Sequence, residues 1–166
     1  MKFLEVLLKE FDNEMGSTRK ILERVPENSL TWKPHEKSMT LGRLASHVAE
    51  LPGRAASICR TEALVREPGF KPFVTASSQE LLEKFDTSSA EARTAIAELT
   101  DDQLSVVWSV KFGDKTILSM PRFMALRTVA MDHMIHHRGQ LSVYLRLLDV
   151  PVPGMYGPSA DEAKMF

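Results

Sequence analysis

The sequence predicts an all-α fold, a four-helix bundle that forms one domain over residues 1–166. Four stretches carry apolar residues at helical spacing, and only one short region has the pattern of a strand pair. The length of 166 residues fits one ordinary domain. Helices joined by loops bury their apolar faces most economically in a bundle, so an antiparallel or up-and-down arrangement is expected.

The first predicted helix covers residues 3–22, with apolar residues on one face and charged residues opposite. Val25-Pro26 ends it, because the residue before a proline disfavours helical geometry. After an ordered loop around Trp32, Thr40 is the predicted N-cap of a second helix that runs through Ile58. We expect Pro52-Gly53 to interrupt and bend this second helix.

The second half of the chain predicts two more helices and a hairpin. Residues 67–77 contain two prolines and a glycine and form a connection, after which Ser78 caps a helix over residues 78–99. A linker starts at residues 100–103, and a small hairpin turns at Phe112-Gly113-Asp114. The fourth helix, residues 121–148, is the longest. The proline-rich run that starts at Asp149 ends it, and the last twelve residues form an irregular tail.

Composition excludes several classes of protein. The chain is 43% hydrophobic and 26% charged, with a formal net charge of −1, so neither a basic nucleic-acid surface nor a polybasic membrane contact is expected. No stretch approaches the roughly 18 apolar residues of a membrane span, and the first ten residues lack a signal-peptide core. The single cysteine, Cys59, excludes an intramolecular disulfide and fits a reducing compartment. We therefore expect a cytoplasmic protein.

The histidines are the compositional feature that points to chemistry. His133 and His137 are four residues apart, so they share one face of the fourth helix, and that face is otherwise apolar. His47 interrupts the apolar face of the second helix in the same way. Neutral imidazole is the commonest ligand for divalent first-row metals, and three such ligands leave positions open for water or substrate. The pattern predicts a metal site of His47, His133 and His137; the alternative is a set of core histidines without metal.

The other histidines fit this site less well. His136 points away from the pair, beside Asp132 and Gln140, and is expected to pair with Asp132 across one turn. Asp132 or Gln140 could orient a ligand histidine from behind. His35 lies in a loop and is expected to be exposed to solvent.

Other catalytic motifs are absent. The zinc-protease motif needs a glutamate directly after its first histidine, and Met134 stands there instead. The sequence has no G-x-S-x-G elbow, no Walker loop and no G-x-G-x-x-G. Cys59 lies within a helical pattern and is expected to be a packed bystander rather than a nucleophile.

Three segments resemble the DinB/YfiT-like superfamily. Trp32-Lys33-Pro34 with the stretch from Leu41 to His47 is similar to its N-terminal signature. The stretch from His133 to Leu141 is similar to its C-terminal signature, and residues 153–162 are similar to the tail of its DinB branch. The resemblance implies a bundle of up-down-down-up topology, often a homodimer. It also implies a nickel or zinc ion bound by His47, His133 and His137.

The same resemblance suggests two functions of different classes. Relatives include thiol S-transferases that use low-molecular-weight thiols such as bacillithiol, a mycothiol-dependent isomerase and metal-dependent hydrolases. The first hypothesis is therefore an enzyme, thiol S-transferase-like or hydrolase-like, whose metal activates a thiol or water for a small-molecule substrate. The second is a non-catalytic metal-binding stress-response protein.

Several further residues have two interpretations each. Tyr144 could contact substrate or simply pack in the core. Arg43, Arg54 and Arg138 could hold an anionic thiol or be solvated surface residues. The tail segment Tyr156–Ser159 could be a lid over the site or a strap between subunits.

Overall fold

The computed structural model describes residues 3–66, 69 and 71–162. These residues form a mostly helical protein with one three-stranded sheet. Three long helices, α1 (Phe3–Leu22), α2 (Leu41–Arg60) and α3 (Ser78–Ala97), share one apolar core with a fourth helical segment near the C-terminus. The prediction of a mostly helical fold is confirmed, and the strict all-α class is corrected by the sheet.

Helix α2 carries the first of the predicted metal ligands. Thr40 is its N-cap, as predicted, because the Thr40 hydroxyl accepts a hydrogen bond from the Arg43 backbone at 3.2 Å. The helix continues across Pro52 and Gly53, so the predicted interruption is wrong. Pro52 is buried, and a Cβ atom on Gly53 would lie 3.6 Å from Oγ of Ser88 on α3. Packing against α3 therefore maintains a helix that the local sequence would break.

Helix α3 and the segment after it differ from the prediction in detail. Ser77, not Ser78, caps α3, since its hydroxyl accepts from the Glu80 backbone at 3.1 Å. The predicted linker at residues 100–103 is instead the start of a short helix, α4 (Asp101–Leu104). Thr100 and Gln103 cap it reciprocally, a capping box that stabilises even a single turn.

The sheet is built on the predicted hairpin. Strands β2 (Val107–Phe112) and β3 (Lys115–Pro121) pair antiparallel, and Gly113 supplies the positive φ of +53° that their turn requires. A strand that was not predicted, β1 (Ala63–Arg66), pairs parallel with β2. Four residues after a helix are too few to show an alternating pattern, so the edge of β2 decides their conformation. Trp108 of β2 is fully buried and anchors the sheet in the core.

The fourth helical segment has the predicted extent but not the predicted regularity. It comprises α5 (Arg122–Ala125), a π-helical stretch (Leu126–Met131) and α6 (Asp132–Leu147). Asp149 then adopts φ +57° and the chain leaves the helix, so the predicted stop is confirmed. Among the described residues, no helix has the length and apolarity needed to cross a membrane.

Candidate metal centre

Helix α2 presents His47 towards α6. Its neighbours on the same face, Leu44 and Leu51, are buried, whereas His47 itself is only half-buried. The apolar neighbours fix the rotation of the helix, because burying them directs His47 to the junction between α2 and α6. One edge of its ring therefore remains accessible to solvent.

Helix α6 contributes the other two histidines within its first two turns. His133 and His137 are both half-buried, and Met134 and Leu141 beside them are buried in the core. The π-helical stretch ends directly before Asp132 and packs against α2. It therefore sets the direction in which the first turn of α6, with His133, faces α2.

The three rings form one cluster. Nε2 of His47 lies 3.3 Å from Nε2 of His133. The ring centroids are 4.6 Å apart for His47 and His137, and 4.7 Å apart for His133 and His137. One ring nitrogen from each residue falls within 4.8 Å of the other two. The structure thus brings together the three residues that the sequence singled out.

These distances fit a single first-row metal ion. A metal–nitrogen distance of about 2.0–2.1 Å places two ligand nitrogens about 2.8–3.4 Å apart at octahedral or tetrahedral angles. The 3.3 Å separation between His47 and His133 lies in that range. A ring nitrogen of His137 lies within 4.8 Å of the other two, so His137 is the third candidate ligand.

The cluster is electrically neutral at physiological pH. Burial, followed by the charges of His137 and Arg43, lowers the pKa of His47 to about 3. Burial and the Arg54 charge lower the pKa of His133 to about 4, and burial also lowers the pKa of His137. Unprotonated imidazole carries a free lone pair, which is the form that binds a metal.

Gln140 holds the ring of His137 from behind. Its Oε1 lies 2.7 Å from Nδ1 of His137, and an amide oxygen only accepts, so Nδ1 carries the proton and donates it. The second nitrogen, Nε2, is left free for a metal. Asp132 does not share this role in the described contacts, since it pairs with Arg127 at 3.8 Å.

The remaining histidines lie outside the cluster. His136 is exposed, with its ring centroid 5.0 Å from that of His137, and its predicted partner Asp132 faces Arg127 instead. His35 is exposed in its loop, as predicted, and its Nδ1 accepts from the Lys37 backbone at 3.1 Å.

The chain that forms this cluster is similar to known proteins. The family model described as "DinB family" matches residues 1–164. The chain belongs to the DinB family. The uncharacterized Bacillus subtilis proteins YrdA and YjoA are 28% and 26% identical to it. The YrdA match covers 98% of this chain and 93% of YrdA, and the YjoA match covers 84% and 87%.

Solved structures of DinB-like proteins have the same fold. A protein from Bacillus cereus ATCC 10987 superimposes with a TM-score of 0.71 at 25% identity, covering 92% of this chain and 97% of that one. The crystal structure of Bacillus subtilis YjoA gives a TM-score of 0.65 at 22% identity, covering 87% and 94%. The family that the two histidine segments predicted is thereby confirmed. The match covers nearly the whole chain.

The three arginines of this DinB family chain have different environments. Arg43 is half-buried and donates to Glu50 and to the Phe73 carbonyl, both at 3.4 Å. Arg54 is half-buried, with Nη1 3.3 Å from Nδ1 of His133. Arg138 is only 2% exposed, so its interpretation as a solvated surface residue is wrong.

Arg138 belongs to a network that sequence reasoning missed, in which Arg138 and Glu14 are buried and Tyr156 is exposed. Its guanidinium pairs with the Glu14 carboxylate at 2.7 Å and donates to the Tyr156 hydroxyl at 2.7 Å. Tyr156 in turn donates to Glu14 at 3.0 Å. The tail thus contacts α1 and α6 of its own chain. Helical spacing from Leu141 and Leu145 places Arg138 on their face, a signal that could have indicated its burial.

The contacts of Tyr144 and Cys59 are those of residues that pack in the core. The Tyr144 hydroxyl donates to the Met39 carbonyl at 3.3 Å, and its ring packs edge-on against Trp32. These contacts support core packing. Cys59 is buried, as expected, and burial raises the pKa of its thiol to about 12, which disfavours the nucleophilic thiolate.

Proposed function

We propose that His47, His133 and His137 bind one divalent metal ion, nickel or zinc, and that the protein is an enzyme acting on a small molecule. One observation carries this proposal: ring nitrogens of three histidines from two helices lie within 4.8 Å of one another. When bound, such a metal would supply Lewis-acid activation of a low-molecular-weight thiol or of water. A thiol S-transferase-like or hydrolase-like reaction follows from that chemistry.

The chain supports this role with an open, pre-oriented ligand set. Three protein ligands leave at least one coordination position for substrate, as in catalytic rather than structural zinc sites. All three histidines are half-buried, so the open position faces solvent rather than the core. Gln140 fixes the tautomer of His137.

Metal content tests the first half of the proposal. We expect the purified protein, loaded with nickel or zinc and desalted, to retain one ion per chain. His47→Ala, His133→Ala and His137→Ala should each lose it, whereas His35→Ala and His136→Ala should keep it, because both residues lie outside the cluster. A wild-type protein that retains no metal after loading would overturn the proposal.

Activity tests the second half. The metal-loaded protein would be assayed with bacillithiol, mycothiol or glutathione and a generic electrophile, and separately with ester substrates. Turnover that disappears in His133→Ala supports an enzyme. A loaded protein that is inert with every thiol and ester would instead favour a metal-binding protein without catalysis.

Other expectations from the resemblance remain part of the proposal. These are the up-down-down-up order of the helices and a homodimer in solution, and to them we add the cytoplasmic location that the composition predicts. Analytical ultracentrifugation of the metal-loaded protein would measure the oligomeric state directly.

A further inference from the structure

We infer that the molecule bound at the metal centre carries a carboxylate, and that Arg54 binds this group. The inference rests on the proposed function, because it concerns the ligand of the same site. It deepens that function by naming a substrate class: a small carboxylic acid, or a thiol that bears a carboxylate.

Arg54 lies beside the cluster on the same face of α2. It follows His47 by seven residues, which is two helical turns, so both side chains project in the same direction. Its Nη1 is 3.3 Å from Nδ1 of His133, and the residue is half-buried. A guanidinium thus directly contacts a candidate ligand ring.

That contact cannot be a hydrogen bond when His133 binds a metal. Nε2 of His133 faces His47, so Nε2 is the nitrogen that a metal would take. A neutral imidazole with a free Nε2 carries its proton on Nδ1. The contact between Arg54 and Nδ1 then joins two donors. The guanidinium is left in need of an acceptor.

In the part of the chain that the structure describes, Arg54 makes no hydrogen bond to any other acceptor and no ion pair with a carboxylate. Glu50, one turn before Arg54, accepts instead from Arg43 at 3.4 Å and from the Phe73 backbone at 3.2 Å. Burial and then the charge of Arg66 on β1 lower the pKa of Arg54, whereas the charge of Glu50 raises it.

A bound carboxylate would satisfy the guanidinium. Two of its N–H groups match the two oxygens of a planar carboxylate, and partial burial strengthens such a charge-assisted pair. A singly charged carboxylate suits this one free guanidinium, with Arg66 contributing longer-range attraction. One small molecule could then reach both Arg54 and the ring nitrogens of the cluster.

Two thiols test the inference, one with a carboxylate and one with a neutral amide in its place. Isothermal titration calorimetry of the zinc-loaded protein would compare its affinities for 3-mercaptopropionate and 3-mercaptopropionamide. We expect wild type to bind the acid about tenfold or more tightly, the range of a charge-assisted hydrogen bond. Arg54→Met should abolish this preference without reducing zinc content. Arg60→Met, which removes an exposed arginine from the same helix, should keep it.

Three outcomes would overturn the inference. They are equal affinities for acid and amide in wild type, a preference that survives in Arg54→Met, and stronger displacement of 3-mercaptopropionate by inorganic phosphate than by acetate. Glu67 lies outside the described residues, so Glu67→Gln is a further control. A tenfold gain in acid affinity in Glu67→Gln would show that Arg54 already has an internal partner, and would also overturn it.

Failure of the proposed function can be recognised separately. If the protein binds no metal, the proposed function fails in the metal-content experiment. In protein that does bind zinc, propionate and propionamide would be titrated onto the loaded form, with the Arg54 Nε–H followed by NMR. A shift with propionate alone supports the anion site, and no shift with either compound overturns it.

Discussion

Gln140 is the single residue whose contact most directly fixes a ligand of the proposed centre. Its Oε1 accepts from Nδ1 of His137 at 2.7 Å, which fixes both the tautomer and the ring orientation. Loss of such a supporting contact typically lowers metal affinity 10- to 100-fold. We expect Gln140→Leu to weaken zinc binding by about tenfold in a competition titration with a chromophoric chelator. Gln140→Glu, which keeps an acceptor oxygen, should restore it; wild-type affinity in Gln140→Leu would contradict the role.

The depressed pKa values of the cluster predict how the metal-free protein responds to acid. An unfolded histidine takes up its proton near pH 6.5, whereas His47 in the folded state does so only near 3 and His133 near 4. Protonation therefore favours the unfolded chain. The stability contributed by these neutral rings is fully present above about pH 6.5 and is lost as the pH falls towards 3–4.

Urea unfolding of the chelator-treated protein at pH 7, 6 and 5 would measure this loss. His47→Gln removes one titrating ring from the cluster, so its midpoint should fall less steeply than that of wild type over the same range. His35→Gln, in an exposed loop, should follow wild type. Identical slopes for wild type and His47→Gln would contradict the linkage.

At the scale of residues, sequence reasoning found the three histidines of the cluster but not the ion pair of Arg138. His47, His133 and His137 could be predicted because a polar ring in an apolar stripe is visible in the periodicity. The ion pair of Arg138 is not visible in the same way, because its partners Glu14 and Tyr156 are distant in the chain. Periodicity reports which face a residue occupies, whereas an ion pair depends on which elements meet there.

At the scale of elements, the fourth helical segment shows what periodicity cannot resolve. Its extent and its stop after Leu147 could be predicted from apolar spacing and the following prolines. The π-helical stretch Leu126–Met131 could not, because a locally wider turn leaves the average helical pattern almost unchanged. Strand β1 and the continuity of α2 across Pro52 also depend on packing partners rather than on local sequence.

The contact between α1, α6 and the tail depends on one buried ion pair. The side chains of Arg138 and Glu14 are 2% and 10% exposed, so removing one partner leaves a largely buried charge uncompensated. We expect Arg138→Met to lower the free energy of unfolding by about 3–5 kcal/mol, measured by urea denaturation. The double variant Glu14→Leu with Arg138→Met should recover a large part of that loss. A double variant as unstable as the sum of its single variants would contradict this account.

At the scale of the whole molecule, the proposed metal would cross-link two helices. Of its three proposed ligands, His47 lies on α2 and the other two lie on α6, so a bound ion would join elements that are far apart in the chain. A ligand that binds only the folded state at 100 times its dissociation constant stabilises that state by about 2.7 kcal/mol. For a chain of this size, each kcal/mol of added stability raises Tm by about 2–4 °C.

Thermal unfolding with and without zinc tests the cross-link. We expect a rise in Tm of about 5–10 °C for wild type when free zinc is 100 times the dissociation constant. His35→Ala should show the same rise, because its exposed loop lies outside the cluster. His47→Ala removes the only ligand on α2 while leaving the α6 pair intact, so at the same zinc concentration its Tm should not rise. An undiminished rise in His47→Ala would show that zinc binds α6 alone, and that the ion does not join the two helices.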